Sequence, residues 1–290
     1  MNLLIIGGDS RISKRLVKVF PDALLTSRRK ELSANYLFLE LSDVNNFAIP
    51  DDIDCCVIAG GPISYSNSVS DYGLSFYIHH YSIPRLLSKL LEKGIYTIYL
   101  SSNMVFGPSS FERFEFSKPE PSIPYGQLKY ACEQRLSDVS DQLGLQHLFS
   151  ILRLTKHISP ETSPFDEWII SYRKKDSISP FSDLFFAPIT YEHACFVITK
   201  LLKLRQSGLF HYSGQESVSY QDFLDCVNSE LTKRSMLIFV SNPCRSSDTG
   251  ISLQYNDSKT HLDMLTTNSA LSISSLPLND VVNYFVDLLK

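Results

Sequence analysis

The chain has 290 residues, enough for one large domain, or a domain with a smaller lobe, whose core needs no disulfide or metal. Its 27 basic and 31 acidic side chains leave a formal net charge of -4, which suggests neither a nucleic-acid nor a membrane-surface partner. The six cysteines (Cys55, Cys56, Cys132, Cys195, Cys226, Cys244) form no C-x-x-C pair and no His cluster completes a zinc pattern, so no metal is expected.

Met1–Gly7 lacks the basic segment and small-residue cleavage site of a secretion leader. No apolar run approaches the roughly 20 residues of a membrane span. A reducing, cytoplasmic setting is expected. Leu3–Ile6 is a short apolar run that reads as a strand buried on both faces. Gly7-Gly8-Asp9-Ser10 follows as a tight turn, and Ile12, Leu16, Val17 and Phe20 then keep helical spacing. A second strand, Ala23–Thr26, runs into Ser27-Arg28-Arg29-Lys30. A third covers Tyr36–Leu41 and a fourth, Cys55–Ala59, ends at Gly60-Gly61-Pro62. A helical stretch from about Tyr72 to Lys93 is interrupted or restarted at Pro84 and closed by Gly94. Ile95–Leu100 and Leu148–Leu152 are the fifth and sixth strands. Further on, Phe165–Lys175 and Tyr191–Arg205 read as helices, Leu209–Tyr212 as a strand, and Tyr220–Leu231 and Asp280–Leu289 as short helices.

Apolar runs alternating with helices specify an α/β fold, a doubly wound parallel sheet of Rossmann type. Ligands of such sheets bind beyond the carboxyl ends of the strands, so the turns after strands one, two, four and five are the places to look. A dinucleotide turn wants glycines for a tight bend, for close approach of a pyrophosphate and for helix packing. Gly7 fills the first place, while Ser10 and Ser13 stand at the second and third. The alternative is a strand-to-helix turn that holds no ligand. The carboxylate that would accept a ribose hydroxyl after strand two is replaced by Arg28 and Arg29. Guanidinium forks suit a 2′-phosphate, so NADP(H) is favoured over NAD(H); the alternative is a solvated basic loop.

Ser102 stands at the exit of strand five, where its hydroxyl could polarise a carbonyl or simply satisfy local backbone groups. In Pro124-Tyr125-Gly126-Gln127-Leu128-Lys129, the proline suits a first helical turn and Tyr125 and Lys129 share a face. A neighbouring ammonium lowers a phenol's pKa and makes it a usable acid–base group. With 15 tyrosines, about one Tyr-x-x-x-Lys arises by chance. The position after strand five is what raises this one above that level.

The glycine turn, "YLSSNMVFGP" and "PYGQLKYACEQRL", in that order, resemble the extended short-chain dehydrogenase/reductases, most closely the dTDP-4-dehydrorhamnose reductase branch. "ILRLTKHIS", "FFAPITYEHACFVITKLL" and "GLFHYSGQESVSYQDFL" are similar to later segments of that family. The resemblance implies a nucleotide-binding unit over residues 1–155, rejoined by 185–212, and a smaller substrate-binding lobe from 156–184 and 213–290. It implies Ser102, Tyr125 and Lys129 as catalytic residues. Gly7, Ser10, Arg11, Ile12 and Ser13 would line the pyrophosphate site, with Arg28 and Arg29 facing the adenosine phosphate and Ala59 and Gly60 close to the cofactor. Tyr125 and Lys129 would contact the cofactor too. The implied function is reduction of a nucleotide-linked keto sugar with NADPH, in polysaccharide or deoxysugar synthesis. Alternatives are an NAD-dependent epimerase or dehydratase, and a non-catalytic regulatory subunit on the same fold. Arg153, Lys156, Arg173, Lys174 and Lys175 are candidates for the substrate diphosphate, and the helix with Tyr125 is a candidate homodimer contact.

Overall fold

The computed structural model describes residues 1–29, 34–61, 71–249 and 259–290. Lys30 and Pro62, read above as parts of two site turns, and residues 250–258, counted above in the smaller lobe, lie outside them. The described strands are β1 (Leu3–Ile6), β2 (Leu24–Ser27), β3 (Tyr36–Phe38), β4 (Cys55–Ile58), β5 (Tyr96–Ser102) and β6 (Phe149–Leu154). They are followed by β7 (Lys156–Ile158), β8 (Phe185–Phe186), β9 (Pro188–Thr190), β10 (Gly208–Tyr212) and β11 (Val218–Ser219).

The main sheet runs β10-β6-β5-β4-β1-β2-β3 with every described pairing parallel. Alternate side chains feed two cores. Leu3 and Ile5 face the side covered by helices Arg11–Val19 and Tyr191–Leu204. Leu4 and Ile6 face helices Ile83–Glu92 and Pro124–Leu143. Each such side chain, buried on folding, contributes about 1.5–3 kcal/mol, which is why β1 is apolar throughout and central. Order reverses beside β1, between β2 and β4, and this switch point opens a crevice at the carboxyl ends.

β3 stops at Phe38, shorter than Tyr36–Leu41, because Leu41–Asn46 winds into a 3₁₀ turn whose first N–H groups include one capped by Glu40. The helix before β5 restarts at Ile83, with Pro84 in its first turn. Tyr72–Tyr77 runs through a π-turn, Ile78–Ser82, into Ile83–Glu92. A proline lacks an N–H and crowds the carbonyl four residues back, and the wider π-turn just ahead of Pro84 absorbs that conflict. β7, β8, β9 and β11 escape sequence reading because two or three residues carry no periodicity. In the C-terminal part, Phe165 packs with its ring centroid 5.9 Å from Phe223 and 5.8 Å from Phe285, which joins the helices Phe165–Lys174, Tyr220–Lys233 and Leu278–Asp287.

Arg153 of β6 is not a substrate ligand. It is 3% exposed and forks onto Glu133 of the Pro124–Leu143 helix, at 2.6 Å from Nη2 and 3.0 Å from Nε. Its Nη1 donates to His211 Nε2 at 3.4 Å and its guanidinium lies 4.9 Å from the Phe106 ring centre. A buried pair broken on one side leaves an uncompensated charge, at a cost of about 3–5 kcal/mol. Glu133→Ala should therefore lower the denaturant midpoint strongly. Glu133→Leu with Arg153→Met should recover most of the loss, and equal losses in both variants would exclude the ion pair as the cause.

Candidate active site

A cavity of about 910 Å³ opens at the switch point, at the upper end of the roughly 300–1,000 Å³ typical of ligand pockets. The turn after β1 forms its floor. Gly7 has φ +86°, and a Cβ there would lie 2.5 Å from the Gly60 Cα. Only glycine serves at Gly7, and the turns after β1 and β4 meet backbone to backbone. Ser10 caps the helix Arg11–Val19, its Oγ accepting from the Ser13 N–H. Ser13 Oγ donates to the Gly7 carbonyl at 2.9 Å and lies 2.6 Å from Ser10 Oγ. The two serines thus tie down the bend that the glycines of a standard fingerprint leave to backbone freedom. Ser10, Arg11 and Ile12 line the cavity, at a helix start whose first N–H groups suit an anion. Ser13 does not line it: it is fully buried beneath the turn, because its hydroxyl serves Gly7.

Arg28 lines the cavity; Arg29 does not. Arg29 turns to Asp9, its Nη2 3.3 Å from Oδ1. Ala59 and Gly60, after β4, form the next part of the wall.

β5 ends at Ser102, which caps the short turn Asn103–Val105. The helix Pro124–Leu143 lies against that turn so closely that a Cβ on Gly126 would fall 1.9 Å from the Met104 carbonyl oxygen. This contact brings Tyr125 beside Ser102, and both side chains line the same cavity. Burial pushes the Tyr125 phenol up from its ordinary value, opposed by the neighbouring Ser102 hydroxyl. The expected lowering by Lys129 is not what the geometry gives. Lys129 Nζ donates to the Leu100 carbonyl at 3.0 Å and sits 4.7 Å from the Tyr99 ring centre. Burial pushes its pKa down, while Cys132 and Glu133 act the other way. Ser102, Tyr125 and Lys129 nonetheless line one cavity with Gly7, Ser10, Arg11, Ile12, Arg28, Ala59 and Gly60.

Several residues of the site lie beyond the sequence reading. Ser101 Oγ, Thr155 Oγ1 and His157 Nε2 line the cavity, are buried and have no hydrogen-bond partner. Buried polar atoms are almost always paired, so three orphans on one wall fit a polar ligand such as a dinucleotide. β6 runs two residues past Leu152, which puts Thr155 and His157 at its exit; the rule that ligands sit at strand ends would have found them had its length been read correctly. His79, in the π-turn, donates from Nδ1 to the Ser75 carbonyl at 2.9 Å, which leaves Nε2 a bare acceptor facing Gly61. Lys156 donates to the Ser163 carbonyl, and Arg173 and Lys174 sit in the last turn of the Phe165–Lys174 helix, followed by Lys175. Among the described residues no group of three or more His, Cys, Asp or Glu could hold a metal, and no helix is long and apolar enough to cross a membrane.

The family model of the NAD dependent epimerase/dehydratase family matches residues 5–183. No curated protein sequence matches the chain. Among solved structures, an L-threonine dehydrogenase from Cupriavidus necator in its holo form superposes with a TM-score of 0.81 at 14% identity, covering 100% of both chains. A UDP-glucuronic acid 4-epimerase from Bacillus cereus, in complex with UDP-glucuronic acid and NAD, gives 0.77 at 16%, over 100% of this chain and 99% of that one. A dTDP-4-dehydrorhamnose reductase from Clostridium acetobutylicum gives 0.76 at 16%, over 100% and 99%. At such identities the likeness is one of fold.

Proposed function

The chain belongs to the NAD dependent epimerase/dehydratase family and is an NAD(P)-dependent enzyme of the extended short-chain dehydrogenase/reductase type, and on that premise we propose that it reduces a nucleotide-linked keto sugar with NADPH. The observation that carries the proposal is that Ser102, Tyr125 and Lys129 line one cavity whose floor is a helix-start anion site. A bound pyridine nucleotide would supply the hydride. Tyr125 donates the proton to the developing alkoxide, and Ser102 Oγ holds the carbonyl oxygen. Lys129 keeps one N–H on the Leu100 carbonyl and has two left for ribose hydroxyls. Gly7, Ser10, Arg11 and Ile12 hold the pyrophosphate, with Ser13 bracing them from beneath. Ala59 and Gly60 pass beside it. Arg28, which lines the cavity, favours a 2′-phosphate and hence NADP(H), while Arg29 is drawn to Asp9.

In this reading residues 1–155 with 185–212 form the nucleotide-binding unit, and 156–184 with 213–290 the substrate lobe. Six free cysteines support a cytoplasmic setting. The exposed aromatic side chains Tyr72, Phe76, Tyr77 and Tyr81 support homodimer pairing beside the Pro124–Leu143 helix. The product would feed deoxysugar or polysaccharide synthesis.

Epimerisation with NAD is a second reading, favoured by the family's description and by a carboxylate, Asp9, at the adenosine end. Calorimetric titration with NADPH and NADH, then turnover of UDP- and dTDP-linked 4-keto sugars, separates the cases. NADPH consumption on keto sugar is expected. Tightly bound NAD in the purified protein, with no net consumption of NADPH, would favour epimerisation. Binding of neither cofactor at millimolar concentration would overturn both and leave a non-catalytic subunit.

A further inference from the structure

A carboxylate reaches the adenosine end of the cavity by an unusual route. In dinucleotide folds it stands at the end of the second strand, where this chain has Ser27-Arg28-Arg29. Asp9 arrives instead from the turn after β1, 18 residues earlier in the chain than Ser27. Its Oδ2 accepts the Ser27 hydroxyl at 2.6 Å, and its Oδ1 draws the Arg29 guanidinium to 3.3 Å. Ser27 Oγ in turn accepts the Arg29 backbone N–H at 3.1 Å. Ser27 is 5% exposed, so its bond to Asp9 is anchored in the sheet, while the Arg29 side chain that Asp9 draws in lies at the surface, 70% exposed. Asp9, Ser27 and Arg28 all line the cavity.

The hydrogen-bonding inventory decides what this group can recognise. A carboxylate offers about four acceptor sites, and Ser27 and Arg29 use two. Two remain for a vicinal diol, the form of an unphosphorylated adenosine ribose. The Ser27 hydroxyl hydrogen is spent on Asp9 and is not available to a phosphate. A 2′-phosphate in the same place would meet the Asp9 charge, and would have to share the Arg29 guanidinium with it. Arg28 has no ion pair or hydrogen bond among the described residues and remains free for it.

Resting on the reading of this cavity as a pyridine-nucleotide site, we infer that Asp9 is the residue that sets the choice between the two cofactors. The arginines pull towards the 2′-phosphate; Asp9 holds Arg29 back and accepts the ribose hydroxyls of the unphosphorylated form. The protein therefore binds NADPH and NADH with affinities that differ modestly, and the margin is controlled from the glycine turn.

Calorimetric dissociation constants for NADPH and NADH test this on the full chain and on Asp9→Asn, which keeps the size and the Ser27 contact but removes the charge. The ratio of NADPH to NADH affinity should rise about tenfold or more in the variant, mostly through weaker NADH and stronger NADPH binding together. Arg28→Ala should move the ratio the other way. A melting curve checks the fold, and Asp9→Ser serves as a second neutral variant if Asn perturbs the turn. An unchanged ratio, or one that moves towards NADH, with both cofactors still bound, overturns the role of Asp9 alone. Failure of the wild-type protein to bind either cofactor overturns the cavity reading and this inference with it.

Discussion

Tyr125→Phe is expected to lower turnover roughly a hundred- to ten-thousand-fold, the usual loss when a positioned general acid is removed. The change deletes one hydroxyl and leaves the ring and the helix start at Pro124 in place. The carbonyl thus loses its proton donor while Ser102, lining the same cavity, remains to bind it. Cofactor affinity should stay within about threefold of wild type, because Lys129 keeps its own anchor on Leu100. The pH profile gives a second readout. Burial holds the phenol above its ordinary value, so the proton-donating form persists through neutral pH. The reductive rate should be flat there and fall only in strong alkali, near or above the usual phenol range of about 10. Unchanged turnover in the Phe variant would refute Tyr125 as the acid.

The second large effect is on stability in mild acid. Burial pushes His79, His157 and His211 each down to about 3, helped by Lys129, Lys156 and Arg153 respectively. In the unfolded chain they titrate near the ordinary value of about 6.5. A histidine held neutral in the fold lets the unfolded state take up the proton first. Its contribution is full above about 6.5 and is lost as pH falls from there towards 3, at up to about 1.4 kcal/mol per pH unit for each ring. Three rings together make a steep decline between pH 6.5 and 4.5, a window above that in which Asp183, held below its usual range by Ser246 and Arg245, begins to matter. Melting temperature should be level from pH 8 to 7 and drop sharply below 6. His211→Gln should flatten the slope by about a third, since the amide can still accept from Arg153. A melting temperature independent of pH between 7 and 5 would show that these rings are not held neutral.

The parallel strands were legible because Leu3–Ile6, Cys55–Ile58 and Tyr96–Leu100 are unbroken apolar runs between turn residues, and only a strand covered on both faces asks for that. Ser102, Tyr125 and Lys129 could be placed because their positions follow from strand ends and from helical spacing, both local properties. What stayed hidden depends on contacts between distant segments. The pairing of Asp9 with Ser27 and Arg29 joins two turns that only the finished sheet brings side by side. Arg153 read as a candidate for the substrate diphosphate, since nothing nearby in the chain announces Glu133 twenty residues away. Ser13 read as a worn glycine, because a hydroxyl that bonds back to the Gly7 carbonyl cannot be told from one that faces a ligand until the turn is closed. The direction of the Tyr125 shift depended on burial and on where Lys129 points, neither of which spacing reveals.

The Gly126 contact with the Met104 carbonyl and the Gly7 contact with Gly60 have a common meaning for how this protein tolerates change. Both are main chain against main chain, with no side chain between the touching surfaces. The distance from the tyrosine to the strand end, and from the first turn to the fourth, is therefore fixed by peptide geometry and not by the size of any packed residue. Core side chains around them can be exchanged, and the sheet can swell or shrink slightly, without moving the reacting groups relative to each other. Drift in sequence is thereby insulated from drift in alignment, and a chain that shares about one residue in seven with its structural neighbours superposes on them along its whole length.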